Sequence, residues 1–189
     1  MNFVHEIEKY LSRLKQTIDC LPVEKINELM NVLIQAKNDG RTVFIMGNGG
    51  SSATASHFVC DFNKGVSFHK DNKFKFICLN DNIPSIMAYA NDISFEEIFV
   101  HQLKNYFQKG DIVMGISGSG NSINVIRAIE YANVNGGITV GLTGFDGGKL
   151  KKIVNHNVNI PINDMQITED LHMVLDHCMM SILSNSKPC

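Results

Sequence analysis

His57 and Asp61 stand four residues apart, a spacing that sets both side chains on one face of a helix. Glu169 and His177 are eight residues apart, about 80° around a helix axis, so they can share a face as well. His172 falls about 60° to the other side of Glu169 and points away from His177. Two imidazoles and two carboxylates could form the shell of a borderline metal ion, with zinc as the leading candidate. The same spacings also serve ordinary pairs of charges on a helix surface. Spacing alone leaves both readings open.

A second kind of chemistry lies in the turns. Three Gly/Ser-rich stretches, 47–52, 117–122 and 143–148, each follow a short apolar run. Glycine lets backbone approach a ligand, a following helix start offers free N–H groups, and serine hydroxyls add further donors. The stretch Ser117-Gly118-Ser119-Gly120-Asn121-Ser122 suits a phosphate group best. Neither GxGxxG nor GxxxxGK[ST] is present, which points to a small phosphorylated ligand rather than a nucleotide. A strained GxSxG elbow for a serine nucleophile is absent too. Each loop could equally be a tight turn and cap. Cys60 reads as packing, and His5, His69, His101 and His156 as surface or structural residues.

The elements that must position these groups follow from periodicity. Apolar residues at helical spacing predict helices over 2–19 and 23–37, the first through Phe3, Ile7, Tyr10, Leu14 and Ile18. Their stripes must cover a sheet or meet another subunit. Short apolar runs then predict strands over 42–46, 74–79, 111–117, 138–142 and 158–162. Helices are expected over 53–63, 83–90, 95–107, 123–133, 149–153 and 168–183. The polar stretch 64–75 reads as a surface loop. Strands alternating with helices predict an α/β fold, a parallel sheet covered on both faces. The whole chain, 1–189, reads as one domain: a helical pair over 1–39 and an α/β core over 40–189.

Composition narrows the class. The chain is 44% hydrophobic and 19% charged, with 17 basic against 19 acidic residues. It is neither disordered nor basic enough to advertise nucleic acid. No apolar run approaches the roughly 18–20 residues of a membrane span, and no signal peptide is evident at the start. Five scattered cysteines, Cys20, Cys60, Cys78, Cys178 and Cys189, form no CxxC and suit reduced thiols in the cytoplasm.

The motifs resemble the sugar-isomerase (SIS) domain family, and within it the phosphoheptose isomerases. The resemblance rests on Gly47-Asn48-Gly49-Gly50-Ser51 with Ala55-Ser56-His57-Phe58, then Ala90-Asn91-Asp92, then Ile116-Ser117-Gly118-Ser119-Gly120-Asn121-Ser122 with Asn124-Val125. It continues through Leu142-Thr143-Gly144-Phe145-Asp146-Gly147-Gly148-Lys149 and the His172/His177 segment, essentially the whole chain. It implies a three-layer αβα sandwich with a five-stranded parallel sheet, preceded by two N-terminal helices. It also implies a homotetramer with active sites between subunits and one zinc per site. The implied reaction converts sedoheptulose 7-phosphate to D-glycero-D-manno-heptose 7-phosphate through an enediol, an early step of heptose biosynthesis. No nucleic acid or membrane partner is expected.

Carried over by position, Asn48, Gly49 and Gly50 contact the sugar, and Asp81 and Asn82 fall near a polar sugar-binding pair. Ser117, Ser119 and Ser122, with Gly118 between them, hold the phosphate. His57, Asp61, Glu169 and His177 fall on metal-ligand positions, with Asp61 and Glu169 also facing substrate. Asp61 is the implied base and His177 the implied acid. The chain departs from the family pattern in four places: Asp61 where Glu is usual, Glu169 for Gln, Gly118 for Thr and Gly65 for Arg. A charged Glu169 in the metal shell would tighten the metal. A phosphosugar-binding SIS regulator, or an isomerase of another phosphosugar, is the alternative.

Overall fold

The structure, a computed structural model, describes residues 1–185; Cys189 lies outside them. Two helices open the chain, α1 (Val4–Ile18) and α2 (Val23–Asn38). The remainder alternates: β1 (Val43–Gly47), α3 (Gly50–Cys60), β2 (Phe76–Cys78), α4 (Ile83–Asp92), α5 (Ile98–Tyr106), β3 (Ile112–Ser117), α6 (Ile123–Val134), β4 (Ile138–Thr143), α7 (Gly148–Ile153), β5 (His156–Asn159) and α8 (Met165–Asn185). The five strands form one parallel sheet in the order β2-β1-β3-β4-β5. Every residue of β1 and β3 is buried, as a parallel strand covered on both faces requires. One core packs α2, α3 and α8 against one face, through Ile45, Met114, Leu142 and Leu171. The other packs α5, α6 and α7 against the opposite face, through Phe44, Val113, Leu103 and Ile129. The expected three-layer αβα architecture with its two leading helices is therefore present.

Several boundaries differ from expectation. The fifth strand is 156–159 rather than 158–162. It is an edge strand, and polar side chains hold it: Asn157 and Asn159 bond Thr143 Oγ1, and Asn155 bonds Thr139. The apolar run that drew the strand further, Ile160 and Ile162, lies beyond the ladder. Stretch 64–75 is only partly a surface loop. It begins inside a π-helical turn, Asp61–Val66, and buries Val66, Ser67 and Phe74. Asn63 there bonds both backbone groups of Phe76, mimicking a neighbouring strand. The last helix starts earlier than expected, at Met165, because Asp164 caps it through Ile167 N at 3.2 Å.

Two helices are thinly buried. Only Thr17 of α1 is buried, and nothing of α4. Helix α1 is tied on by Tyr10 to Asp170 and by Arg13 to Asp164 at 2.9 Å. Phe3, Val4, Ile7 and Leu11 remain exposed, as do Ile83 and Met87 of α4.

Candidate active site

The carboxyl ends of β1 and β3, neighbours in register at Gly47 and Ile116, open into a cavity of about 280 Å³. In a parallel α/β sheet this is where ligands bind. Its lining includes Asn48, Gly49, Gly50, Ser117, Gly118, Ser119, Ser122 and Glu169, so eight residues expected from the sequence meet here. Ser117 Oγ donates to Ser122 Oγ at 3.1 Å, and Ser119 Oγ accepts from Asn121 N at 3.2 Å. These hydroxyls line the cavity just ahead of α6, with Ser122 at its N-cap position, where an anion is favoured.

The third Gly-rich loop plays a different part: no residue of 143–148 lines the cavity. It packs backbone to backbone against the serine loop through Gly144 N to Gly118 O at 2.8 Å, and Leu150 N of the following α7 bonds Gly120 O at 2.9 Å. A Cβ on Gly120, whose φ is +67°, would lie 2.0 Å from Gly147 O. Glycine there is a condition of the close approach.

The ionisable cluster forms beside the cavity. Helices α3 and α8 pack together, and both start at the cavity. His57 Nε2 lies 3.0 Å from His177 Nε2 and 3.6 Å from Asp61 Oδ2, and His177 Nε2 is 4.0 Å from that same oxygen. The π-helical turn begins at Asp61, and irregular turns of this kind often mark functional sites. These three donors lie within 4.8 Å of one another and could hold a metal ion. Two imidazole nitrogens and a carboxylate oxygen are donors that suit a borderline cation.

Glu169 is not brought into that cluster. Its carboxylate rests against Gly50, where a Cβ would lie 2.3 Å from Oε2. Glu169 and His177 can share a helix face, but eight residues also mean about 12 Å of rise along the axis. Glu169 therefore reaches the cavity and His177 the cluster. Asp81 and Asn82 stand outside the cavity lining. Asp81 accepts a hydrogen bond from Ser56, next to His57, while Asn82 caps α4 through Ser85 N at 3.2 Å.

Helix α8 also buries two titratable groups: His172, which the sequence placed away from His177, and Asp176, which it did not single out. His172 is fully buried; its Nε2 donates to Thr143 O at 3.3 Å and its Nδ1 has no partner. Burial pushes its pKa down to about 4, so it is neutral. Asp176 is fully buried with neither oxygen hydrogen-bonded. Burial, then the charge of Asp61, pushes it up to about 8. The signal was available: both fall on the stripe set by Leu171, Leu175 and Met179. Asn124 was also missed; its amide pairs with that of Asn48.

The sequence profile described as the SIS domain matches residues 2–144. A phosphoheptose isomerase of Fusobacterium nucleatum is 42% identical over 143 residues, 75% of this chain and 72% of that protein. One from Helicobacter hepaticus is 35% identical over 160 residues, 85% of this chain and 81% of the relative. The structure of a phosphoheptose isomerase from Neisseria gonorrhoeae superposes with a TM-score of 0.89 at 26% identity, covering 98% of this chain and 100% of that one.

Proposed function

Because the chain belongs to the SIS domain family, and within it to the phosphoheptose isomerases, we propose that it is an aldose–ketose isomerase converting sedoheptulose 7-phosphate to D-glycero-D-manno-heptose 7-phosphate. One observation carries the reading: the serine-lined cavity and the His57–Asp61–His177 cluster are joined by two adjoining helices. From Gly50 to His57 is seven residues and from Glu169 to His177 eight, about 10–12 Å along the axes. An extended sugar phosphate spans that order of length, with its phosphate at one end and its carbonyl at the other.

The chemistry moves a proton from C1 of the ketose to C2, and the oxygen proton from O1 to O2, through an enediol. Asp61 accepts the carbon proton. Its Oδ2 faces the two imidazoles, which leaves Oδ1 to act as base. His177 handles the oxygen proton. Ser117, Ser119, Ser122 and the start of α6 hold the phosphate, and that remote binding fixes C1 and C2 in place. Glu169, at the cavity wall, accepts hydrogen bonds from sugar hydroxyls. A zinc ion, held by His57, Asp61 and His177, would polarise the reacting oxygens when bound.

The reading extends to assembly and place. The bare apolar faces of α1 and α4 support a homotetramer with sites near subunit boundaries. Four free cysteines among the described residues support a reducing, cytoplasmic setting. Incubation with five-, six- and seven-carbon ketose phosphates, with products identified by NMR, tests the function. Sedoheptulose 7-phosphate alone is expected to turn over efficiently. No turnover of any member would favour a phosphosugar-binding regulator.

A further inference from the structure

One amide pair ties together the two loops that line the cavity. Asn48 follows β1, and Asn124 lies in the first turn of α6, directly after the serine loop. Asn48 Nδ2 donates to Asn124 Oδ1 and Asn124 Nδ2 donates back to Asn48 Oδ1, both at 2.9 Å. Asn124 Oδ1 also accepts from Val125 N at 2.9 Å. The side chain of Asn124 is thus held to its own helix and to the opposite loop at once, and it is only 2% exposed. Asn124 lines no part of the cavity, whereas Asn48 does.

This pairing has a strict chemical requirement. Each partner must offer one donor and one acceptor side by side, which a carboxamide does and a carboxylate or alkyl group does not. It occupies one edge of Asn48 and leaves one N–H and one carbonyl lone pair for a ligand. With the edge fixed, those remaining groups have a fixed direction. Beyond the ends of β1 and β3 the chain continues through Gly49, Gly50, Gly118 and Gly120, which offer no side chains to hold the two loops in place. The amide pair supplies a side-chain link across that stretch.

We propose that Asn124 is a positioning residue that couples the sugar loop to the phosphate loop. An anion docked at Ser117–Ser122 then orders Asn48 and Gly49 for the sugar hydroxyls. The proposal rests on the cavity being the phosphate end of the site. Linkage makes the effect reciprocal, so a ligand at either loop tightens the other.

The test uses the isotope-labelled full chain titrated with inorganic phosphate and followed by NMR. In the wild type, the backbone amides of Ser119, Ser122, Gly49 and Gly50 shift together with one Kd. In Asn124→Ala the serine-loop amides still shift, with Kd changed by less than about threefold, and Gly49 and Gly50 no longer follow. Asn124→Asp is near-isosteric and keeps the acceptor for Val125 N, so it secures a folded second variant. It loses the donor to Asn48 Oδ1 but still accepts from Asn48 Nδ2, so it weakens the coupling, and Gly49 and Gly50 follow with a smaller shift than in the wild type. In Asn124→Ala KM for the sugar phosphate rises about tenfold, and in Asn124→Asp by less, while kcat changes less than KM in each. A purely structural role would instead lower the folded fraction and leave KM alone. Gly49 and Gly50 shifting in the variants as in the wild type, or failing to shift in the wild type, overturns the coupling. Phosphate that leaves the serine loop itself unmoved in the wild type overturns the phosphate reading, and the coupling with it.

Discussion

The two ends of the site are built in opposite ways. The cavity is made mostly of backbone and short hydroxyls, and its loops are fixed by hydrogen bonds to one another, including the Asn48–Asn124 pair. The cluster is made of side chains alone. His177 is 57% exposed and His57 42%, with Asp61 more sheltered at 14%. Two imidazole nitrogens held 3.0 Å apart beside a carboxylate gain most from a cation between them. On the proposed function, the difference separates two tasks. Holding a phosphate needs a rigid, preorganised cradle, while moving protons and holding a metal needs titratable groups open to the substrate.

The contrast breaks hardest at Asp61. Asp61→Asn is expected to lower kcat on the order of a thousandfold, because an amide cannot accept the carbon proton, while Tm stays within a few degrees. Steady-state kinetics beside a thermal melt checks both halves. At the other end, Ser122→Ala should raise KM about tenfold with a smaller change in kcat. Equal losses of kcat from both variants would erase the division of labour.

Beneath the cluster, stability should depend on pH in two windows. His172 has a native pKa of about 4, below its ordinary 6.5. Between those values the unfolded chain binds more protons, so stability falls as pH drops through that range. Asp176 has a native pKa of about 8, above its ordinary 3.8. There the native state binds more protons, so stability falls as pH rises from about 4 to 8. In chelator-treated protein, Asp176→Leu should flatten the second slope and raise stability at pH 8 by about 1–3 kcal/mol. Urea melts across the pH range measure it, and an unchanged slope would show that Asp176 is not the group responsible.

The smallest effect expected is on metal content in Glu169→Gln. Since Glu169 lies at the cavity wall and not in the cluster, elemental analysis should find the same metal per chain as in the wild type. His57→Ala should lose it. A metal loss from Glu169→Gln equal to that from His57→Ala would return Glu169 to the ligand set.

Legibility in the sequence followed the same divide. Strand–turn–helix alternation and the glycine spacing were enough to place the two loops that line the cavity, because local backbone rules govern them, while Glu169 and the roles of single residues came only from the family resemblance. Helical spacing paired His57 with Asp61, but not which of Glu169 and His177 would join them. Angle around an axis is readable from numbering; the packing of α3 on α8, which decides the height at which side chains meet, is tertiary. The π-helical turn at Asp61 and the polar edge strand β5 were illegible for a related reason. Both are held by side chains reaching distant partners, Asn63 to the backbone of Phe76 and Asn159 to the hydroxyl of Thr143. Asp176 was not singled out, although it falls on the stripe of Leu171, Leu175 and Met179, since an acid on an apolar stripe is not expected to be buried.

A crystal structure of Asp61→Asn with sedoheptulose 7-phosphate bound would test the central claim, that cavity and cluster are two ends of one site. The account predicts the phosphate within hydrogen-bond reach of Ser119 and Ser122, with C1 and C2 beside residue 61 and His177. A phosphate seated among His57, residue 61 and His177, or a sugar chain running away from that cluster, would contradict it.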